Sequence, residues 1–255
     1  MAFLATKRQQ ALQYPTLQAY ASAIAFAHKI RGLTDPTSTF LFRKFMTGLR
    51  RSSNFSNPLQ PVTKTMLEEL ISLVPKLQID NFSKSLLRAV LSLLYHACLR
   101  ISEVTVSPTT DHAIKETDLT FLVKPPRITP HALSVTLQTF KHSRSSQTIQ
   151  VSESSNSSIC PVTLLAQYYK VRGQNMRVFC LRSGEPLTRQ KVTAWLKKLV
   201  AMSSFRHLRI NTHSFRIGRT TDLVLHGKVS DAYIQHVGRW SSAAYKKYIK
   251  SIVVL

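Results

Sequence analysis

The sequence predicts an α+β chain, mainly α with a small β-sheet and hairpin, and three observations carry that prediction. Apolar residues recur at three- and four-residue steps over much of the chain, the period of a helix with one buried face. Three short strand-like runs fall between residues 119 and 151, separated by polar turns. Hydrophobic residues make up 44% of the 255, enough apolar surface to build a core rather than remain disordered.

Residues 15–31 read as a first helix, with Leu17, Tyr20, Ile24 and Ala27 recurring along it. Pro15 suits its first turn, where a missing N–H costs nothing. Gly32 is a stop, and Asp35-Pro36-Thr37 reads as the cap of a second helix through Phe40, Phe42, Phe45 and Leu49. Residues 50–61, with Pro58 and Pro61, read as a linker. Helices are then expected at 64–74 and 83–99, the second strongly apolar, and strands at 119–123, 133–138 and 147–151. Residues 139–147 make the hairpin tip and 152–158 a Ser/Asn-rich loop. Helices resume at 161–172, 188–202, 212–226, 230–236 and 241–250. The chain thus divides into a helical segment, 1–62, and a larger α+β segment, 63–255.

Charge narrows the function. Lys and Arg number 35 against 12 Asp and Glu, a formal net charge of +23 and a pI near 10.5. Such an excess repels itself in a compact state, and a polyanionic partner is the simplest reason to keep it. Nucleic acid and an anionic membrane surface both qualify on composition. No stretch approaches the roughly 20 apolar residues of a spanning helix, and the N-terminus lacks the apolar run of a signal peptide. An intracellular protein is therefore expected, nuclear in a eukaryote, with nucleic acid as partner and no membrane. Residues 1–62 hold eight Lys/Arg and one acid, Asp35, which suits a clamp on a DNA backbone. Cys98, Cys160 and Cys180 lack metal-ligand spacing and read as buried reduced thiols.

Four motifs bear chemistry. Arg100 sits in Cys98-Leu99-Arg100-Ile101-Ser102-Glu103-Val104 at the end of the apolar helix, with Glu103 one turn on to orient it. A planar five-donor guanidinium there suits a phosphate, although a plain ion pair fits the same pattern. Lys141 lies on the hairpin tip, where it can reach over a substrate or simply be exposed. His213 and Arg216 stand three apart in the first turns of a helix capped by Thr212, and therefore share a face. A helix N-terminus favours an anion at that place. Finally His236-Val237-Gly238-Arg239-Trp240 precedes Tyr245 and Tyr248, with Lys246, Lys247 and Lys250 beside Tyr248 favouring its phenolate.

The order Arg … Lys … His-x-x-Arg … His/Trp … Tyr resembles the tyrosine recombinase (phage integrase) family over residues 63–250. LRISEV, HSFRIG and GRW are similar to its Cre-like branch, and GRWSSAAYKKYI resembles recombinases of eukaryotic mobile elements. The resemblance implies the tyrosine recombinase catalytic fold, preceded by a short, truncated core-binding-like DNA-binding segment. It implies site-specific DNA cleavage and rejoining through a 3′-phosphotyrosine intermediate, on double-stranded DNA and as a homotetramer, with no cofactor, metal or small-molecule substrate. By the same resemblance Tyr248 is the nucleophile, and Arg100 and Arg216 clamp the non-bridging phosphate oxygens. Lys141 is the general acid, His213 the acid–base partner, and Trp240 a donor to the phosphate or a packing neighbour. Glu103 supports Arg100, His236 stands beside the set, and Tyr245 is the rival nucleophile. Tyr248 lies eight residues after Trp240 where relatives commonly show nine, and seven residues follow it, so a short or missing C-terminal helix is expected. A DNA-binding protein descended from a recombinase, without catalysis, and a type IB topoisomerase-like relaxase remain alternatives.

Overall fold

A computed structural model describes residues 1–52, 58–107, 112–139, 145–173, 177–227 and 229–246. Among them the chain is mainly helical with one three-stranded antiparallel sheet, ordered β1-β2-β3, the α+β class expected from its sequence. It forms two compact units, Met1–Asn57 and Pro58–Leu255. Among the described residues no helix is long and apolar enough to cross a membrane.

The first unit contains α1 (Ala2–Gln9), α2 (Tyr14–Lys29) and α3 (Phe40–Ser52) around Leu4, Leu17, Ala21 and Phe42. Helix α1 has no counterpart in the sequence reading. Leu4 is its only buried residue, so its apolar periodicity is faint. Asp35 does cap a turn, accepting from the Thr37 N–H at 2.8 Å and hydroxyl at 2.7 Å, but the turn is a 3₁₀ helix over Pro36–Ser38. The α-helix starts at Phe40, where the Thr39 hydroxyl accepts from the Phe42 N–H at 3.2 Å.

The second unit is built on α5 (Asn81–His96), which follows α4 (Lys64–Leu73). Asp80 caps α5, accepting from the Ser83 N–H at 3.0 Å, a bond worth about 1 kcal/mol. Leu86, Leu87, Val90, Leu91, Leu93 and Leu94 are fully buried along it, each worth roughly 1.5–3 kcal/mol over exposure. Against α5 pack α7 (Pro161–Arg172) and α9 (Thr212–Leu225), with α8 (Arg189–Met202) against α4. The sheet pairs β1 (Leu119–Leu122) with β2 (Ala132–Leu137) and β2 with β3 (Gln147–Ser152). Leu133 opposes Val151 and Val135 opposes Ile149, and all four face the core, the period-two pattern of a half-buried hairpin.

Helix α5 stops at His96, not at residue 99. Cys98 takes a left-handed conformation (φ +51°), the chain turns, and a separate short helix, α6 (Ile101–Val104), begins with Arg100 as its cap. Helix α9 is capped by Asn211 rather than Thr212, because the Asn211 amide oxygen reaches the His213 N–H at 2.7 Å. Helix α10 (Asp231–Gly238) is followed by a 3₁₀ turn at Ala243–Tyr245.

Burial in the last turn of α5 pushes the His96 imidazole down to about 4. Between pH 6.5 and about 4 the unfolded chain takes up this proton and the folded chain does not, so stability falls with pH across that window. The loss should be roughly 3 kcal/mol. Urea unfolding at pH 7 and pH 4.5 should show it, and His96→Gln should flatten the difference; an unchanged difference in that variant would remove His96 as the cause.

Glycine 218 lets α9 approach the chain entering this unit. A Cβ there would stand 1.8 Å from the Val62 carbonyl oxygen, while the Val62 N–H donates to the Ser214 carbonyl at 3.0 Å. Gly218→Ala should cost about 2 kcal/mol or more in a denaturant titration, because the obstacle is backbone.

Candidate active site

The break between α5 and α6 determines the site. The left-handed turn at Cys98 costs roughly 1–2 kcal/mol for a residue with a Cβ. Its carbonyl accepts two guanidiniums, Arg216 Nη1 at 2.7 Å and Arg239 Nη2 at 2.9 Å. Two charge-assisted bonds to one oxygen offset that cost.

Three residues on, Glu103 is buried, 1% exposed, yet carries a full set of partners. One carboxylate oxygen accepts from Arg100 Nη1 at 3.3 Å. The other accepts from the Arg100 backbone N–H at 2.7 Å and from Arg239 Nη2 at 2.8 Å. The spacing that suggested Glu103 would orient Arg100 is thus realised as direct contact. The Arg100 side chain stays 21% exposed at the rim.

Arg216 lies deeper, 1% exposed, from the second turn of α9. It donates to the Cys98 and Gly238 carbonyls. Its guanidinium stands 4.3 Å from the Trp240 ring centroid, within cation–π range. His213, one turn earlier, is exposed at its edge. Packing beneath it, then the charges of Arg216 and Arg100, hold its imidazole below the ordinary range. His213, Arg216 and Arg100 therefore occupy one locality, with histidine neutral at pH 7.

Trp240 is half-buried, with Arg216 on one side and Tyr245 at 5.9 Å between ring centroids. Gly238 makes room for it: a Cβ there would meet the indole at 1.6 Å. Tyr245 is 1% exposed. The Asp231 carboxylate beside it pushes its phenol up to about 12, opposing the phenolate. His236 is exposed, and its ring Nδ1 and backbone carbonyl lie 3.1 and 2.7 Å from the Gln147 amide nitrogen. That contact ties the start of β3 to the end of α10, beside Trp240.

Two expected site residues, Lys141 and Tyr248, lie outside the described residues. Of the others, Arg100, Glu103, His213, Arg216 and Trp240 come together, with His236 and Tyr245 at the margin. Sequence reading missed Arg239, Cys98 and Gln147. For Arg239 a signal existed, an arginine between a glycine and the tryptophan of an already suspected motif, but nothing in the spacing showed that it turns inward. Burial pulls the Arg239 guanidinium down to about 10, against the pull of Glu103. It stays charged at neutral pH. Among the described residues no three His, Cys, Asp or Glu side chains are grouped to hold a metal ion.

No protein-family model matches the chain, and no curated protein matches it by sequence. Solved structures do match. The Tn1549 transposon integrase in complex with transposon right-end DNA aligns with a TM-score of 0.66 and 14% identity, over 98% of this chain and 78% of that one. A lambda integrase dimer bound to a COC′ core site gives 0.61 and 12%, over 97% and 62%. The XerH site-specific recombinase in a post-cleavage complex gives 0.57 and 13%, over 77% and 50%, so the chain spans about half the length of that recombinase. These structural neighbours are tyrosine recombinases and integrases, and at such identities the likeness shows a common fold, the one the motif order implied.

Proposed function

We propose that this chain, which has the tyrosine recombinase fold, cleaves and rejoins double-stranded DNA through a 3′-phosphotyrosine on Tyr248. One observation carries the reading: Arg100 and Arg239 share the buried Glu103 carboxylate, Arg216 meets Arg239 on the Cys98 carbonyl beside it, and His213 stands at the edge with its imidazole held below the ordinary range. Three guanidiniums against one carboxylate leave two positive charges in excess at a partly exposed place. Phosphoryl transfer builds negative charge on the non-bridging oxygens, and a fixed cationic site meets that charge without reorganising.

In this scheme the Tyr248 oxygen attacks phosphorus, the bond to the 5′-oxygen breaks, and Lys141 gives the leaving oxygen its proton. Neutral His213 accepts the phenol proton. Arg100 approaches the phosphate from the rim and Arg216 supplies charge from beneath, held in place by Trp240. Rejoining is the reverse, with a 5′-hydroxyl attacking the phosphotyrosine. Guanidiniums take the role that a divalent ion has in other phosphoryl-transfer sites. Tyr245 is supported as a packing residue, because its hydroxyl is buried and held protonated. The finer assignment is site-specific recombination or integration of a mobile element, with a homotetramer holding two duplexes and residues 1–62 as a DNA-binding clamp.

The test is a duplex nicked close to the cleavage point, from which the short fragment diffuses away. An active protein accumulates a denaturant-resistant adduct on it; a DNA-binding descendant without catalysis gives none. Paired sites should then assemble a tetramer, which a simple relaxase would not form. Affinity should fall with salt: neutralising some six phosphates predicts a loss of about 10³ between 50 and 200 mM. A flat salt dependence would contradict the clamp.

A further inference from the structure

Two of the residues other than glycine with positive φ, Cys98 and Arg239, meet in one hydrogen bond, Arg239 Nη2 to the Cys98 carbonyl at 2.9 Å. At φ +54° residue 239 occupies a conformation that glycine takes without strain, and Gly238 stands next to it. The chain nevertheless places there a long charged side chain that is 0% exposed. A buried ion pair gains little over well-packed apolar groups, so stability alone does not account for the arginine. An outlier of this kind points to function.

The same Nη2 also donates to Glu103 at 2.8 Å. Each of its two acceptors holds one arginine of the candidate site. The Cys98 carbonyl holds Arg216 at 2.7 Å, and the Glu103 carboxylate holds Arg100 at 3.3 Å. The Nη1 of Arg239 is fixed in turn by the Val237 carbonyl at 3.1 Å, one residue from the Gly238 carbonyl that takes the other arm of Arg216.

We propose that Arg239 is a positioning residue that ties the acceptor orienting Arg216 to the acceptor orienting Arg100, fixing the spacing of the two guanidiniums that face the scissile phosphate. This rests on the DNA-cleavage reading above. Arg239 does not touch the substrate; it acts through its two neighbours.

The test is a double-mutant cycle on the rate of adduct formation with the nicked duplex at saturating protein, using Arg239→Lys, Arg100→Lys and the double variant. Arg239→Gly is added because it removes the side chain while relaxing the backbone, and so serves if the lysine variant folds poorly. Each single variant should slow cleavage about 100-fold, and the double well under the roughly 10⁴-fold product, with DNA affinity little changed. A merely structural role reduces the folded fraction and multiplies with Arg100→Lys. Full multiplicativity, or a normal rate in both Arg239 variants, would overturn the inference while leaving cleavage intact. If the unmodified chain forms no adduct, the cleavage reading falls and this inference with it.

Discussion

Tyr248→Phe should yield no covalent protein–DNA adduct while binding the same duplex with nearly unchanged affinity. The phenol oxygen is the atom proposed to bond to phosphorus, and removing a nucleophile costs at least about 10⁴-fold in rate. Affinity is expected to persist because it comes from many phosphate contacts made by a chain of net charge +23, not from one hydroxyl. Tyr245→Phe is the necessary companion. Its ring packs against Trp240 and its buried hydroxyl stands beside Asp231, so the variant should retain the adduct. Loss of the adduct in Tyr245→Phe together with survival in Tyr248→Phe would move the nucleophile three residues back.

Glu103→Ala should be among the most destabilising single substitutions in the second unit. The carboxylate is 1% exposed and is the acceptor that Arg100 and Arg239 share, with Arg216 close by on the Cys98 carbonyl. Without it, buried guanidiniums face one another with no counter-charge, a situation that costs about 3–5 kcal/mol. For a domain of this size that corresponds to a fall in Tm of about 10 °C. Glu103→Gln keeps the volume and one acceptor oxygen and should lose less. A change under about 1 kcal/mol, as for an exposed pair, would show that the carboxylate does not hold the cluster together.

What the sequence made legible follows from which signals are local. Arg100 with Glu103, and His213 with Arg216, were readable because helical spacing alone brings each pair together. The hairpin strands were readable because Leu133, Val135 and Leu137 alternate with polar residues and face the core. The break after His96 was not readable. Ala97 and Cys98 carry no glycine or proline signal, and the turn is held by arginines 118 and 141 residues away in sequence. Arg239 escaped for the same reason. Its backbone conformation contradicts local preference, and only the tertiary structure supplies the two acceptors that make it favourable. The depth of Arg216 was not readable either, because its partners, the carbonyls of Cys98 and Gly238, come from two separate chain breaks. Lys141 and Tyr248 were legible only from the order of the motifs along the chain.

The most direct measurement is to digest the trapped adduct and find by mass spectrometry which side chain carries the nucleotide, and through which end of the cut strand. A single modified peptide is predicted, with Tyr248 joined through its oxygen to a 3′-phosphate and a free 5′-hydroxyl on the released strand. A link through a 5′-phosphate, a nucleotide on Tyr245 or on a serine, or no adduct at all would contradict the account.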